Sequence, residues 1–219
     1  MREVVVLIHG LWKTGNDSWR LRQRLQKAGY ECQKFSYQSL RHSPEENARR
    51  LHQFVSAIDA PVIHFVCHSL GGIVLLKYFD MHPSLIRGRV VLLGSPVNGS
   101  QVARRLSKHW YSRWLIGKSA TDDLLGSHPV WNSWREIGII AGTLPLGVGL
   151  LSGWLPLPHD GTVTVSETVL HGATDFITLP VTHTSLLYSS KVAQQTITFL
   201  RAGKFGDEIG NMLLESEPT

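Results

Sequence analysis

Three residues far apart in the chain have the side chains needed to move an acyl group. Ser69 stands in Cys67-His68-Ser69-Leu70-Gly71-Gly72, between the apolar run Val62–Val66, broken only by His64, and Ile73-Val74-Leu75-Leu76. That order reads as a buried strand, a sharp turn and a helix, with the serine at the apex. A turn this tight brings the two backbones almost into contact and holds the serine at strained dihedrals, so it needs small neighbours. Gly71 and Gly72 are small, and so is Cys67. The amino end of the helix would favour an oxyanion there. A serine hydroxyl is a weak nucleophile at neutral pH and needs a base beside it. His183, in Pro180-Val181-Thr182-His183-Thr184-Ser185-Leu186-Leu187, is the candidate base, and Asp160, in His159-Asp160-Gly161-Thr162-Val163, is the candidate carboxylate to orient it. Taken singly, Asp-Gly is a common turn pair and a lone histidine is more often structural. The rival acid is Asp175, in Gly172-Ala173-Thr174-Asp175, whose spacing to His183 suggests the following strand or its exit.

The elements that would position these groups alternate. Glu3–Ile8 is an apolar strand ending in His9-Gly10 and a glycine-containing loop. Asn16 and Asp17 can cap a helix to Ala28, with Leu21, Leu25 and Ala28 on one face and Gly29 as its stop. Cys32–Tyr37 is a short strand. Ser43-Pro44-Glu45-Glu46 has the cap serine, the proline and the glutamate of a strong helix start, and Ala48, Leu51, Val55 and Ile58 then share a face. The strand before Ser69 and its helix to about Asp80 follow, then the strand Arg89–Leu93, with Ser95 as a turn residue. Strand–helix alternation implies a mostly parallel sheet with helices on both faces and a site at the strands' carboxyl ends.

Ser100–Glu136 breaks the rhythm with five aromatic residues, Trp110, Tyr111, Trp114, Trp131 and Trp134, beside Arg104, Arg105, Lys108, Arg113 and Lys118. Ala103, Leu106, Trp110 and Trp114 fall at helical steps. Three readings stay open: plain packing of the tryptophans, a wall over an acyl pocket, and peripheral contact with a membrane surface. Ile137–Pro158 carries no charge, yet its prolines and glycines argue against a membrane span and for a strand, Ile137–Ala141, followed by an apolar loop near the site. The last helix presents Ala193, Ile197 and Leu200 on one face, and the polar, acidic tail 207–219 is expected to fray.

At 219 residues the chain suits a single domain, expected over 1–206 with an insert at 100–136. Two cysteines give no disulfide framework. A net charge of +5 is too diffuse to argue for nucleic acid. The opening residues already read as a strand, so a cytoplasmic location is expected.

With the order Ser, Asp, His, the chain resembles the α/β-hydrolases of the lipase and esterase type. The resemblance rests on His9-Gly10, on Cys67–Gly72 as a nucleophile elbow, on Asp160–Val163 and on His183–Ser190, and it runs from Val4 to about Leu200. The Asp160 and His183 motifs are similar to those of GPI-inositol-deacylase-like hydrolases and small bacterial lipases. Cys67 departs from the leading glycine of the elbow. The resemblance implies a doubly covered parallel sheet with a helical cap after the fourth strand. It implies Ser69 as nucleophile, His183 as general base and acid, Asp160 as its orienter, and the N–H groups of Leu11 and Leu70 as oxyanion hole. Trp12, Trp110, Trp114, Leu144 and Trp154 are the expected substrate-binding residues. The expected substrate is a small or lipid carboxylic ester, with no metal and no cofactor. Rival readings are a thioesterase or amidase on the same fold, and a membrane- or partner-binding module with a vestigial triad.

Overall fold

The computed structural model describes residues 2–11, 16–83, 86–107, 131, 133–147 and 155–206. Within them six strands form one sheet: β1 (Glu3–Ile8), β2 (Glu31–Phe35), β3 (Val62–His68), β4 (Val90–Leu93), β5 (Ile137–Gly142) and β6 (Asp175–Leu179). The order is β2-β1-β3-β4-β5-β6 and every pairing is parallel. The central strands β3, β4 and β5 are buried along nearly their whole length, as a sheet covered on both faces requires. In β6, at the edge, burial alternates instead.

Helices α1 (Trp19–Lys27), α2 (Pro44–Ser56), α3 (Leu70–Met81), α4 (Gln101–Ser107), α5 (Val165–Thr168) and α6 (Ser190–Ala202) complete the described structure. Ala48, Leu51 and Val55 of α2 and Ile73 and Val74 of α3 pack with Val4, Val6, Ile63 and Phe65 on one face of the sheet. Leu21 and Leu25 of α1 and Val192, Ala193 and Phe199 of α6 pack with Val5, Leu7, Val66 and Val91 on the other. Full burial of each such side chain is worth about 1.5–3 kcal/mol, which is what fixes the faces. Because β1 pairs with both β2 and β3, the chain reverses direction across the sheet there, and the carboxyl ends of β1 and β3 flank a crevice.

Local signals act as their chemistry dictates at α2, where Ser43 and Glu46 form a reciprocal capping box behind Pro44. They do not at α1. Asn16–Ser18 is a 3-10 turn, and α1 begins only at Trp19, with no cap hydrogen bond from the Ser18 side chain. Burial of Leu21 and Leu25 sets this helix, and the expected caps at Asn16 and Asp17 give way to it. The second strand ends at Phe35, and Tyr37 lies beyond it, stacked on His9 with ring centroids 4.3 Å apart.

Of the expected insert 100–136, residues 108–130 and 132 lie outside the described residues, and so does the tail 207–219. At the insert's far end Trp131 is a core residue. Its indole donates to the Arg135 carbonyl at 2.7 Å, and its ring meets Phe79 edge-on at 5.4 Å. The uncharged stretch after it begins with β5, and among the described residues no helix is long and apolar enough to cross a membrane.

Candidate active site

Ser69 follows β3 directly and precedes the first residue of α3. Among the described residues it is the one non-glycine with positive φ, 54°. A serine is held there against about 1–2 kcal/mol of steric cost because both flanking elements are pinned in the core. Its amide donates to the Leu93 carbonyl of β4 at 3.0 Å. The glycines after it are demanded by contact. A Cβ on Gly71 would lie 2.6 Å from the Ile8 carbonyl oxygen, and one on Gly72 would collide with the Ser95 side chain. Ser95, read as a turn residue, is buried beneath the elbow. Cys67 fits because its side chain points into the core; burial pushes its thiol well above the ordinary value, so it stays protonated beside the serine.

Asp160 and His183 come from loops at the same end of the sheet. His159-Asp160-Gly161 turns with Gly161 at φ +92°, and the Asp160 Oδ1 accepts the amides of Thr162 (2.9 Å) and Val163 (2.7 Å). The other oxygen, Oδ2, lies 2.7 Å from His183 Nδ1. The backbone repeats the link, with the His183 amide donating to the Asp160 carbonyl at 2.8 Å. The Asp160 side chain is 1% exposed and that of His183 is 13%. With Nδ1 donating to the carboxylate, His183 keeps Nε2 as an acceptor. Gly94, just past β4, lies against this pair: a Cβ there would stand 3.1 Å from Asp160 Oδ2 and 3.2 Å from His183 Nδ1.

The rival acid, Asp175, lies elsewhere. It opens β6 rather than closing it, so it sits at the amino ends of the strands, where its carboxylate accepts the amides of Phe176 and Phe205.

Beyond β1, Gly10 packs on the elbow: a Cβ on it would lie 2.9 Å from Ser69 Cβ and 3.1 Å from His68 Nδ1. His9 holds this loop. The Tyr37 amide donates to His9 Nε2 at 3.2 Å, so Nδ1 carries the proton and donates to the Gly10 carbonyl at 2.8 Å. Burial lowers the His9 pKa and keeps the ring neutral in this role. The Gly10 carbonyl and the Leu11 N–H share one peptide plane and point in opposite directions, so fixing one aims the other. Leu70 supplies the first amide of α3, one of the helix-start donors without an intrahelical partner.

Of the expected substrate-binding residues, Leu144 is 40% exposed in the loop after β5, while Trp12, Trp110, Trp114 and Trp154 lie outside the described residues. The roles of His9 and Gly94 were not apparent from the sequence. The histidine–glycine pair at a strand end was the available signal for the first, and a glycine directly after a buried strand for the second.

The model of the alpha/beta hydrolase family matches residues 5–204. No curated protein matches the chain. Among solved structures, the mature form of lipase BlEst2 from Bacillus licheniformis is 20% identical, with a TM-score of 0.67 over 92% of each chain. Its propeptide form is 21% identical, with a TM-score of 0.72 over 94% of this chain and 51% of its own length. The metagenomic carboxyl esterase MGS0156 is 16% identical, with a TM-score of 0.67 over 91% of this chain and 74% of its own. At these identities the likeness is one of fold.

Proposed function

Because the chain belongs to the alpha/beta hydrolase family, we propose that it is a serine hydrolase cleaving carboxylic esters through Ser69, His183 and Asp160. The observation that carries this reading is the 2.7 Å hydrogen bond between His183 Nδ1 and the buried Asp160, at the strand ends that also present the strained Ser69. His183 Nε2 takes the Ser69 proton as Oγ attacks the ester carbonyl. Asp160 holds the tautomer and stabilises the imidazolium. The tetrahedral oxyanion sits between the Leu11 and Leu70 N–H groups, each donor contributing about 2.7–4 kcal/mol. Return of the proton to the leaving alkoxide releases the alcohol. Water, activated by the same histidine, then frees the acid from the acyl-serine. The likeness to a lipase and a carboxyl esterase supports an oxygen ester over a thioester or amide.

The test is turnover of p-nitrophenyl acyl esters together with fluorophosphonate labelling. Ser69→Ala should abolish both while the thermal midpoint stays near that of the parent, and undiminished turnover in that variant would sink the assignment. If Leu144 and its neighbours wall an acyl pocket, kcat/KM should rise about fourfold for each methylene that the pocket buries, from acetyl upward until it is full. A flat response from acetyl to hexanoyl would remove the wall and leave the triad.

A further inference from the structure

His68 immediately precedes Ser69, and its side chain is occupied by the far end of the chain. It closes β3, and the two-residue alternation of a strand places it on the face of Val66, the face covered by α1, α6 and the loop carrying His183. The ring is buried, 3% exposed. Its Nε2 lies 2.9 Å from the His183 carbonyl oxygen, 115 residues away. A carbonyl only accepts, so Nε2 carries the proton and donates. The two imidazoles stand 4.7 Å apart, tilted by 44°. The opposite edge of the ring faces the oxyanion loop, since a Cβ on Gly10 would come within 3.1 Å of Nδ1.

The loop around His183 makes this bond necessary. The Ser185–Leu187 turn closes its own backbone: the Leu186 amide goes to Thr182, the Leu187 amide to Thr184, and Thr182 and Ser185 exchange side-chain and amide bonds. None of these uses the His183 carbonyl. His183 is thus held at three points: its amide by the Asp160 carbonyl, its Nδ1 by the Asp160 carboxylate, and its carbonyl by His68. The first two fix the base relative to the acid. Only the third ties it to the strand that carries the nucleophile.

We propose that His68 is a positioning residue for the general base, setting the distance and approach of His183 to Ser69 from the adjacent residue. The inference rests on the hydrolase reading above. It requires a proton on His68 Nε2 at the pH of turnover.

Two measurements test it. Histidine-selective ¹⁵N NMR of the unaltered protein reads the tautomer of His68 directly. Kinetics on p-nitrophenyl esters then compare His68→Phe, which keeps a ring without a donor, with His68→Gln, which keeps a donor. The expected results are an Nε2–H tautomer, a fall in kcat of up to about a hundredfold in the Phe variant with KM little changed, an altered acid limb of its pH profile, and recovery of most of the loss by Gln. The rate of fluorophosphonate labelling should fall in parallel. A neutral His68 with its proton on Nδ1, a Phe variant with the parent kcat and pH profile, or a Gln variant no better than Phe would each overturn the inference. Should either variant fail to fold, the tautomer still decides. A parent enzyme inert toward both esters and fluorophosphonate would sink the hydrolase reading, and this inference with it. An active parent with an indifferent Phe variant sinks the inference alone.

Discussion

His64 and His68 lie on one strand, on one face, and both are buried, yet the two ends of the sheet put them to different use. His64 accepts the Arg89 amide at Nδ1 (2.9 Å) and donates from Nε2 to Glu3 (3.3 Å), linking β3 to its neighbouring strand and to the residue that precedes β4. Around it the amino ends form a network closed but for Arg135 Nε, which is buried without a partner among the described residues. Arg135 donates to the Ile63 and Ile86 carbonyls, Arg89 pairs with Glu136, and Asp175 takes two amides. At the carboxyl ends Asp160 and His68 are buried while Ser69 and His183 are partly exposed, and not all of these groups are closed on one another. His183 keeps an acceptor nitrogen, and Ser69 is held in strain. The lesson is that burial of polar groups does not mark the site; the strain at Ser69 together with the Asp160–His183 pair does.

The two acids give the largest test of this contrast. Asp160→Asn should lower kcat by about three to four orders of magnitude, because an amide facing Nδ1 no longer enforces the required tautomer. Asp175→Asn should leave kcat within a few-fold and lower stability by about 1 kcal/mol through its two amide bonds. Side-by-side ester kinetics and urea midpoints check both. The reverse outcome would move the working acid to the other end of the sheet.

Glycine gives the next test, intermediate in size. Gly94 and Gly29 both have positive φ, at +54° and +99°. A methyl on Gly94 would meet Leu186 at 2.7 Å and crowd the Asp160–His183 hydrogen bond, whereas nothing lies within 4 Å of one on Gly29. Each alanine substitution should cost about 1–2 kcal/mol of stability from backbone strain. Only Gly94→Ala should also reduce kcat, by about a hundredfold. Equal activity losses in the two variants would mean that the site tolerates less strain everywhere rather than crowding at one bond.

What was legible in the sequence follows from range. The apolar runs of β1, β3, β4 and β5 and the Ser43–Glu46 box are written in contiguous residues, so strand–helix order and the α2 start could be read directly. The elbow could be read because its steric demand falls on immediate neighbours. For Asp175 the spacing to His183 gives the following strand, which is β6, but not which end of it: Asp175 is its first residue, because separation along the chain carries no strand direction. The start of α1 was misplaced because long-range packing of Leu21 and Leu25 outweighed local capping. The His68–His183 and His9–Tyr37 contacts were out of reach for the same reason: each joins elements that only the folded sheet brings together.

The smallest expected effect lies at the closed end. Burial lowers the His64 pKa from its ordinary 6.5, outweighing the Glu3 hydrogen bond that raises it; Arg89 and Arg135 lower it further. A group with a lowered folded pKa binds fewer protons folded than unfolded, so stability should be full above about pH 6.5 and decline as pH falls through the window below it. Burial lowers the His9 pKa as well, and its effect has the same sign. Glu167, whose pKa burial raises, contributes the opposite sign, losing stability as pH rises above its unfolded value. The wild-type slope is therefore a sum, and the difference between wild type and His64→Gln isolates one member. Glutamine can accept from the Arg89 amide and donate to Glu3 without titrating. Urea midpoints from pH 7.5 to 5.5 should fall less in the variant than in the parent. Ester turnover over the same range should keep its acid limb, because the proposed base, His183, lies at the other end of the sheet. If His64→Gln moved that limb instead, the two ends would be electrostatically joined, and the contrast between the two histidines would be one of degree.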